Sequence, residues 1–169
     1  MELVLADHND LENIKNMYTD IVKNMYANDI RIWDEYYPNE EFVHDINKNN
    51  LYLLKESDEI LGAFSLYEHI DIEDDIEWQD KKAKAYLLNR VGVNVNHLQK
   101  GIGQKLVAIA KDIAKKKNGE YLRLLVCEEN TPAINLYRKC KLKRVKGIHE
   151  EVIEKDYYLN EYGFEVLLK

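Results

Sequence analysis

Two glycines one residue apart, Gly101 and Gly103, stand between an apolar segment and an amphipathic one in the stretch VGVNVNHLQKGIGQKLV. If a helix starts there, its first amides have no intrahelical acceptor, and the helix dipole adds about half a positive charge. Glycine lacks the Cβ atom that would hold an anion away from those amides. Lys100 adds a positive charge at the same point. The stretch therefore predicts a site for a ligand that carries phosphate.

Two common phosphate loops fit this stretch poorly. A Walker loop places Gly-Lys-Ser or Gly-Lys-Thr after its first glycine, and the sequence GIGQKL has neither. A dinucleotide fingerprint has Gly or Ala where Leu106 stands, and its strand lies much nearer the N-terminus. Taken alone, a Gly-x-Gly pair is also compatible with a tight turn. The identity of the phosphate ligand needs a second signal.

That signal is the stretch NTPAINLYRKCKL, which runs from Asn130 to Leu142, one strand further along the chain. Together the two stretches resemble the GNAT superfamily of acyl-CoA-dependent N-acyltransferases. Its signatures are Gln/Arg-x-x-Gly-x-Gly/Ala after a strand, and Asn-x-x-Ala-x-x-Leu-Tyr followed by Gly-Phe. The resemblance covers nearly the whole chain. It implies one domain, residues 1–169, of the α/β (α+β) class: a central mixed, mostly antiparallel sheet with helices on both faces.

The resemblance also implies acetyl-CoA as co-substrate. The main chain of Val91 and Val93 is implied to contact the pantetheine arm, and Asn130 and Ala133 are implied to contact the CoA arm. The implied pyrophosphate loop consists of Gln99, Lys100, Gly101, Ile102, Gly103 and Gln104. Two positions depart from the family pattern. Leu98 stands where the family has Gln or Arg, which should weaken binding, and Lys141-Leu142 replaces Gly-Phe. Because a left-handed cap disfavours a residue other than glycine, that helix is expected to end differently.

Tyr137 matches the family tyrosine that protonates the departing CoA thiolate. A phenol can do so, because its pKa near 10 keeps it protonated at neutral pH. Packing in a helix is the competing explanation for one of twelve tyrosines. The best candidate for a general base is Glu68, acting through a water, although a carboxylate at a strand end is commonly only solvated. Direct attack by the amine is implied, with no acyl-enzyme on Cys127.

Three aromatic residues lie between the first two predicted helices, in the sequence IRIWDEYYP. The resemblance places Trp33, Tyr36 and Tyr37 beside an amine-bearing small molecule or peptide, and core packing explains such a cluster equally well. Acids at residues 68–80, with Glu150 and Glu151 in a predicted loop, can attract a cationic amine or merely form a solvated face. Two other functions stay open: a non-catalytic acyl-CoA-binding module, and an enzyme with another phosphate ligand such as ATP or NAD.

Hydrophobic periodicity and turn residues define the elements that must position these groups. Predicted strands cover residues 3–6, 50–55, 60–66, about 84–95, 121–126, 143–146 and 162–169. Predicted helices begin after residues 7–9, near Pro38, after Gly101 and at Thr131, which serves as N-cap before Pro132. The strands before Gly101 and before Asn130 should be parallel neighbours, because a helix joins them. The acids at residues 68–80 are expected to form a solvated loop.

Composition narrows the class of partner. The chain has 169 residues, 46% hydrophobic and 33% charged, with a net charge of -7, which disfavours nucleic acid as a partner. No membrane span and no secretory signal are found, so a cytoplasmic location is expected. The two cysteines are too few for a disulfide framework. No histidines are paired at HxH or HxxxH spacing, so no metal is expected.

Overall fold

The computed structural model describes residues 1–169. The helices are α1 (Leu11–Ala27), α2 (Phe42–Asn47), α3 (Ile102–Lys116) and α4 (Thr131–Lys139). The strands are β1 (Glu2–Leu5), β2 (Leu51–Glu56), β3 (Glu59–Glu68), β4 (Ala85–Val93), β5 (Tyr121–Cys127), β6 (Lys143–Arg144), β7 (His149–Glu154) and β8 (Tyr157–Leu167). None of the helices has the length and apolar character needed to cross a membrane.

The eight strands form a mixed, mostly antiparallel sheet in the order β1-β2-β3-β4-β5-β8-β6, with β7 paired to β8. This confirms the fold class expected from the sequence. Strands β4 and β5 are parallel, with Ala85 opposite Tyr121 and Leu87 opposite Arg123. Helix α3 provides the crossover that a parallel pair requires. The predicted parallel pairing of the two strands that precede the Gly101 and Asn130 stretches is therefore confirmed.

The chain divides into two compact units, one made of Met1–Leu66 with Asn89–Leu106 and the other of Tyr67–Leu88 with Val107–Lys169. In the first unit, the apolar residues of α1 recur at helical spacing and face a core cluster. Its fully buried members include Ile14, Tyr18, Phe42, Leu51 and Leu53. Asp7 caps the 3-10 turn His8–Asp10 that leads into α1, because its side chain accepts from the Asn9 amide at 2.7 Å.

In the second unit, a fully buried arginine holds the loop between β3 and β4. Arg123 Nε donates to Glu165 at 3.1 Å, and its guanidinium lies 5.1 Å from the centre of the Trp78 ring. Trp78 and Ile76 are themselves buried. The expectation that residues 68–80 form only a solvated loop is therefore wrong in part. Their two large apolar side chains anchor the loop between exposed acids.

The start of α4 and the structure of residues 149–154 differ from the prediction. Asn130, not Thr131, caps α4, because its Oδ1 accepts from the Ala133 amide at 3.3 Å. Glu150 and Glu151 lie in strand β7, not in a loop. The acidic, exposed sequence of β7 has no apolar face, so period-two hydrophobicity could not reveal it.

Helix α4 ends in a left-handed residue despite the lack of glycine. Lys141 has φ +68°, and the Leu142 amide donates to the Tyr137 carbonyl at 3.1 Å, as in a Schellman cap. The expectation that this helix ends differently is therefore wrong. Leu142 is buried, and its burial offsets the backbone cost at Lys141.

Replacing Lys141 by glycine is expected to raise the free energy of unfolding by about 1 kcal/mol, because glycine adopts positive φ without a Cβ clash. Lys141 is exposed, so no buried contact is lost. Lys139→Gly is the matched control: it removes the same exposed charge but places glycine in a helix, and should lower stability by about 1 kcal/mol. Urea unfolding monitored by circular dichroism measures both. Equal destabilisation by the two variants would show that Lys141 is not strained.

Candidate active site

The glycine loop begins at Asn94, which is hydrogen-bonded to strand β3. The Asn94 amide donates to the Leu61 carbonyl at 3.0 Å, and its Nδ2 donates to the Ile60 carbonyl at 2.8 Å. Its Oδ1 accepts from the Asn96 amide at 3.0 Å, which caps a short 3-10 turn. Sequence reasoning missed this role of Asn94. An asparagine at the end of a strand, followed by a short polar segment, is the pattern that could have predicted this turn.

Beyond this turn, two residues adopt left-handed backbone conformations before the helix starts. Gln99 has φ +59° and Gly101 has φ +79°. A Cβ atom at Gly101 would meet no protein atom within 4 Å, so the backbone angle, not crowding, favours glycine. Helix α3 then begins at Ile102, and its first intrahelical bond runs from the Lys105 amide to the Gly101 carbonyl at 3.1 Å. The amides before Lys105 have no acceptor in this helix, as an anion site requires.

The charged and polar side chains of this loop are exposed. Lys100 is exposed, and its Nζ donates to the Asn96 carbonyl at 3.1 Å, within the loop itself. Gln99 and Gln104 are exposed, and Leu98, which stands in the family's Gln or Arg position, is 42% exposed. Because these side chains are exposed, an anion bound at this loop would be held mainly by the main-chain amides.

Strand β4 reaches this loop with half-buried Val91 and Val93 on either side of buried Gly92. A Cβ atom at Gly92 would lie 2.7 Å from the ring of Tyr18 in α1, closer than real Cβ contacts come. The Tyr18 hydroxyl donates to the carbonyl of Arg90. Glycine at position 92 therefore allows α1 to pack directly on the strand whose main chain is expected to bind pantetheine.

Arg90 lies in a buried ionic network that the sequence did not reveal. The residue has φ +52°, and its guanidinium donates to both Asp45 oxygens, at 2.9 Å from Nε and 2.7 Å from Nη2. Asp45 also accepts from the Ser65 hydroxyl at 2.5 Å. Burial works against the charge, but Tyr37 and Asp45 outweigh it and raise the pKa of Arg90. The network fixes β4 to α2 and to the segment that holds Tyr37.

The three aromatic residues predicted for the acceptor side differ in their surroundings. Trp33 packs on the buried ring of Tyr18, with ring centres 5.8 Å apart, and on Tyr37 at 6.4 Å. The Tyr37 hydroxyl is hydrogen-bonded to the Arg90 guanidinium. Tyr36 is 66% exposed. Trp33 and Tyr37 thus belong partly to the core, whereas Tyr36 is available to a ligand.

Replacing Tyr37 by phenylalanine is expected to lower the free energy of unfolding by about 1.5 kcal/mol, because a hydrogen bond to a buried charged group is lost. Tyr36→Phe is the matched control: it removes a neighbouring hydroxyl that is exposed, and should leave stability unchanged. Urea unfolding of both variants checks this. Equal stability of the two variants would remove Tyr37 from the Arg90 network.

Helix α4 carries the second group of predicted site residues. Asn130 is its N-cap, so its side-chain oxygen is already engaged by the half-buried Ala133. One turn further, Tyr137 is buried, with 8% of its surface exposed. Burial raises the pKa of Tyr137 above its usual range, so the phenol keeps its proton at every physiological pH. A general acid must hold its proton before it donates, and Tyr137 meets that condition.

Glu68 and Cys127, the other two candidates for a catalytic role, lie in opposite environments: the first is exposed and the second is buried. Glu68 is exposed at the end of β3, 4.0 Å from the Lys84 ammonium, which is a surface ion pair. Cys127 is buried, and burial, followed by the charges of nearby glutamates, raises the pKa of its thiol. The thiolate needed for covalent catalysis is therefore disfavoured at Cys127.

Comparison with known proteins gives one family. A model of the acetyltransferase (GNAT) family matches residues 14–141, which include both the glycine loop and α4. A search of curated protein sequences gave no match.

Solved structures share the fold over nearly the whole chain. An N-acetyltransferase from Staphylococcus aureus Mu50 is 20% identical, with a TM-score of 0.70, and the match covers 99% of this chain and 98% of that one. An acetyltransferase of the GNAT family from Listeria monocytogenes 4b F2365 is 16% identical, with a TM-score of 0.75 and coverages of 99% and 94%. A Salmonella typhimurium protein solved with its cofactor acetyl-CoA is 16% identical, with a TM-score of 0.70 and coverages of 100% and 94%.

Proposed function

The chain belongs to the acetyltransferase (GNAT) family, and on that premise we propose that it moves an acetyl group from acetyl-CoA to the primary amine of an acceptor. The observation that carries the proposal is the left-handed Gly101 that opens α3. It presents consecutive main-chain amides at a helix N-terminus, which suits a pyrophosphate. The Asn130 stretch with Tyr137 adds the second half of the family pattern.

Residues 99–104 supply the binding of the CoA pyrophosphate in this proposal. The main chain provides most of the interaction, because the side chains of Gln99, Lys100 and Gln104 are exposed. The absence of the family's Gln or Arg at Leu98 then weakens binding without abolishing it. The main chain of Val91 and Val93 pairs with the pantetheine arm, and its amides polarise the thioester carbonyl. Asn130 and Ala133 contact the CoA arm at the start of α4.

The reaction proceeds by direct attack. The neutral amine nitrogen forms a bond to the thioester carbon, the carbon–sulfur bond breaks, and the thiolate takes a proton from the Tyr137 hydroxyl. The amine passes its surplus proton to a water molecule, which transfers it to the Glu68 carboxylate. The raised pKa of the Cys127 thiol supports transfer without an acyl-enzyme. Tyr137 then recovers its proton from solvent.

The acceptor is proposed to be a cationic amine that loses a proton before attack. The exposed Tyr36 ring, beside Trp33 and Tyr37, offers an aromatic surface for it. The net charge of -7 favours approach of a cation. Small amines and peptide N-termini both meet this description.

Calorimetric titration with acetyl-CoA, ATP and NAD tests the ligand directly. The proposal expects binding of acetyl-CoA at micromolar concentration and no comparable binding of the two nucleotides. Tight binding of ATP or NAD instead would assign the glycine loop to another phosphate ligand. A non-catalytic acyl-CoA-binding module is the alternative function. It would bind acetyl-CoA equally well, so turnover with an amine separates the two.

A further inference from the structure

The hairpin of β7 and β8 brings together side chains that are far apart in the sequence. His149 and Glu161 are directly opposite each other in the β7–β8 register. Glu151 lies two residues after His149, so it points to the same face of the strand. One imidazole and two carboxylates therefore share one face of the hairpin, within the second unit.

The potential ligand atoms of these three residues all lie within 4.8 Å of one another. His149 Nε2 is 3.6 Å from a Glu151 oxygen, a separation that two ligands of one metal ion have. On its other side, His149 Nδ1 is 3.0 Å and 3.1 Å from the two oxygens of Asp75. A carboxylate that accepts from Nδ1–H fixes the tautomer in which Nε2 has a free lone pair.

The local charge balance also favours a cation. Glu151 and Glu161 bring two carboxylates to a single imidazole on this face of the hairpin. Glu73 adds a further negative charge that acts on Glu161 and on His149. A single imidazolium can balance only one of these carboxylates. A divalent cation would stabilise the ionised form of all of them.

We propose that His149, Glu151 and Glu161 bind a divalent transition metal ion, with Zn²⁺ as the best fit, and that Asp75 orients His149 from behind. Imidazole nitrogen with carboxylate oxygen is a ligand set that suits Zn²⁺ and not Mg²⁺. Three protein ligands leave a fourth position for water or for a ligand. The sequence indicated no metal, because it has no paired histidines. The cross-strand register supplies the spacing that the linear sequence lacks.

Calorimetric titration of the whole chain with Zn²⁺, with Mg²⁺ as the comparison ion, tests the proposal. We expect one Zn²⁺ per chain and no measurable heat with Mg²⁺. The variants His149→Ala and Glu161→Gln should each weaken Zn²⁺ binding at least tenfold, and Asp75→Asn by about ten- to a hundred-fold. Visible absorption with Co²⁺ in place of Zn²⁺ supplies a second measurement. Four-coordinate Co²⁺ absorbs visible light strongly, so the wild type should develop this absorption and His149→Ala should not.

Glu150→Gln is the matched control, because Glu150 is exposed on the same strand, opposite Asn160, on the other face. It should bind Zn²⁺ like the wild type. Circular dichroism confirms that each variant is folded. If the wild type binds no Zn²⁺, or if Glu150→Gln loses as much affinity as Glu161→Gln, the cluster is an ion-pair network and the proposal is wrong. Neither result depends on acetyl transfer.

Discussion

Replacing Tyr137 by phenylalanine is expected to lower kcat by roughly ten- to a thousand-fold, the range for the loss of one general acid. The substitution keeps the buried ring and removes only the hydroxyl, so the packing of α4 is preserved. Affinity for acetyl-CoA should change little, because the proton is needed only when the carbon–sulfur bond breaks. Steady-state kinetics with calorimetry of acetyl-CoA binding separates these two effects.

Cys127→Ala is the control for this prediction. If the amine attacks the thioester directly, loss of the thiol should leave the rate nearly unchanged. A rate that collapses in Cys127→Ala while Tyr137→Phe turns over normally would replace direct attack by a covalent route through the thiol. In that case Tyr137 would be a packing residue, and the proton would come from water.

Replacing Gly101 by valine is expected to lower acetyl-CoA affinity by at least tenfold, which is about 1.4 kcal/mol. A β-branched residue strongly disfavours the φ of +79° at this position, so the loop must rearrange and the amides before Lys105 lose their alignment. Gly103→Val should have a similar effect, because its side chain would lie in the first turn of α3 and hold the pyrophosphate away from the main-chain amides. Calorimetric titration with acetyl-CoA measures both variants.

The matched control is Ala108→Val, which adds the same side chain at an exposed position further along α3. It should bind acetyl-CoA with unchanged affinity. Unchanged affinity in Gly101→Val and Gly103→Val as well would mean that the pyrophosphate does not bind on this helix start.

The features that the sequence predicted are those with local causes. Apolar spacing predicted α1, α3 and most strands, the Gly-x-Gly pair predicted the start of α3, and prolines near the helix starts predicted α2 and α4. An Asn-Gly pair at the end of a helix is typical of a left-handed residue, and Asn118 at the end of α3 has φ +60°. Each of these signals lies within a few residues of the structure it causes.

The features that the sequence missed depend on distant residues. Nothing near Arg90 in the sequence indicates that it pairs with Asp45. Similarly, Lys141 takes a conformation suited to glycine next to Leu142, which is buried, whereas the type of residue at position 141 alone predicts a different helix end. Strand β7 is defined by its pairing with β8 and not by an apolar pattern. The roles of all the site residues stay predictions, because a role depends on which residues from distant parts of the chain meet around the ligand.

Amine-dependent release of CoA thiol from acetyl-CoA tests the central claim most directly. The purified chain is incubated with acetyl-CoA and a panel of amines that includes amino acids, polyamines and short peptides, and mass spectrometry follows the amine. The account predicts that at least one amine accelerates thiol release and gains an acetyl group in equal amount, and that Tyr137→Phe slows both together. Acetyl-CoA binding with no amine-dependent thiol release across the panel would contradict it and favour a non-catalytic acyl-CoA-binding module.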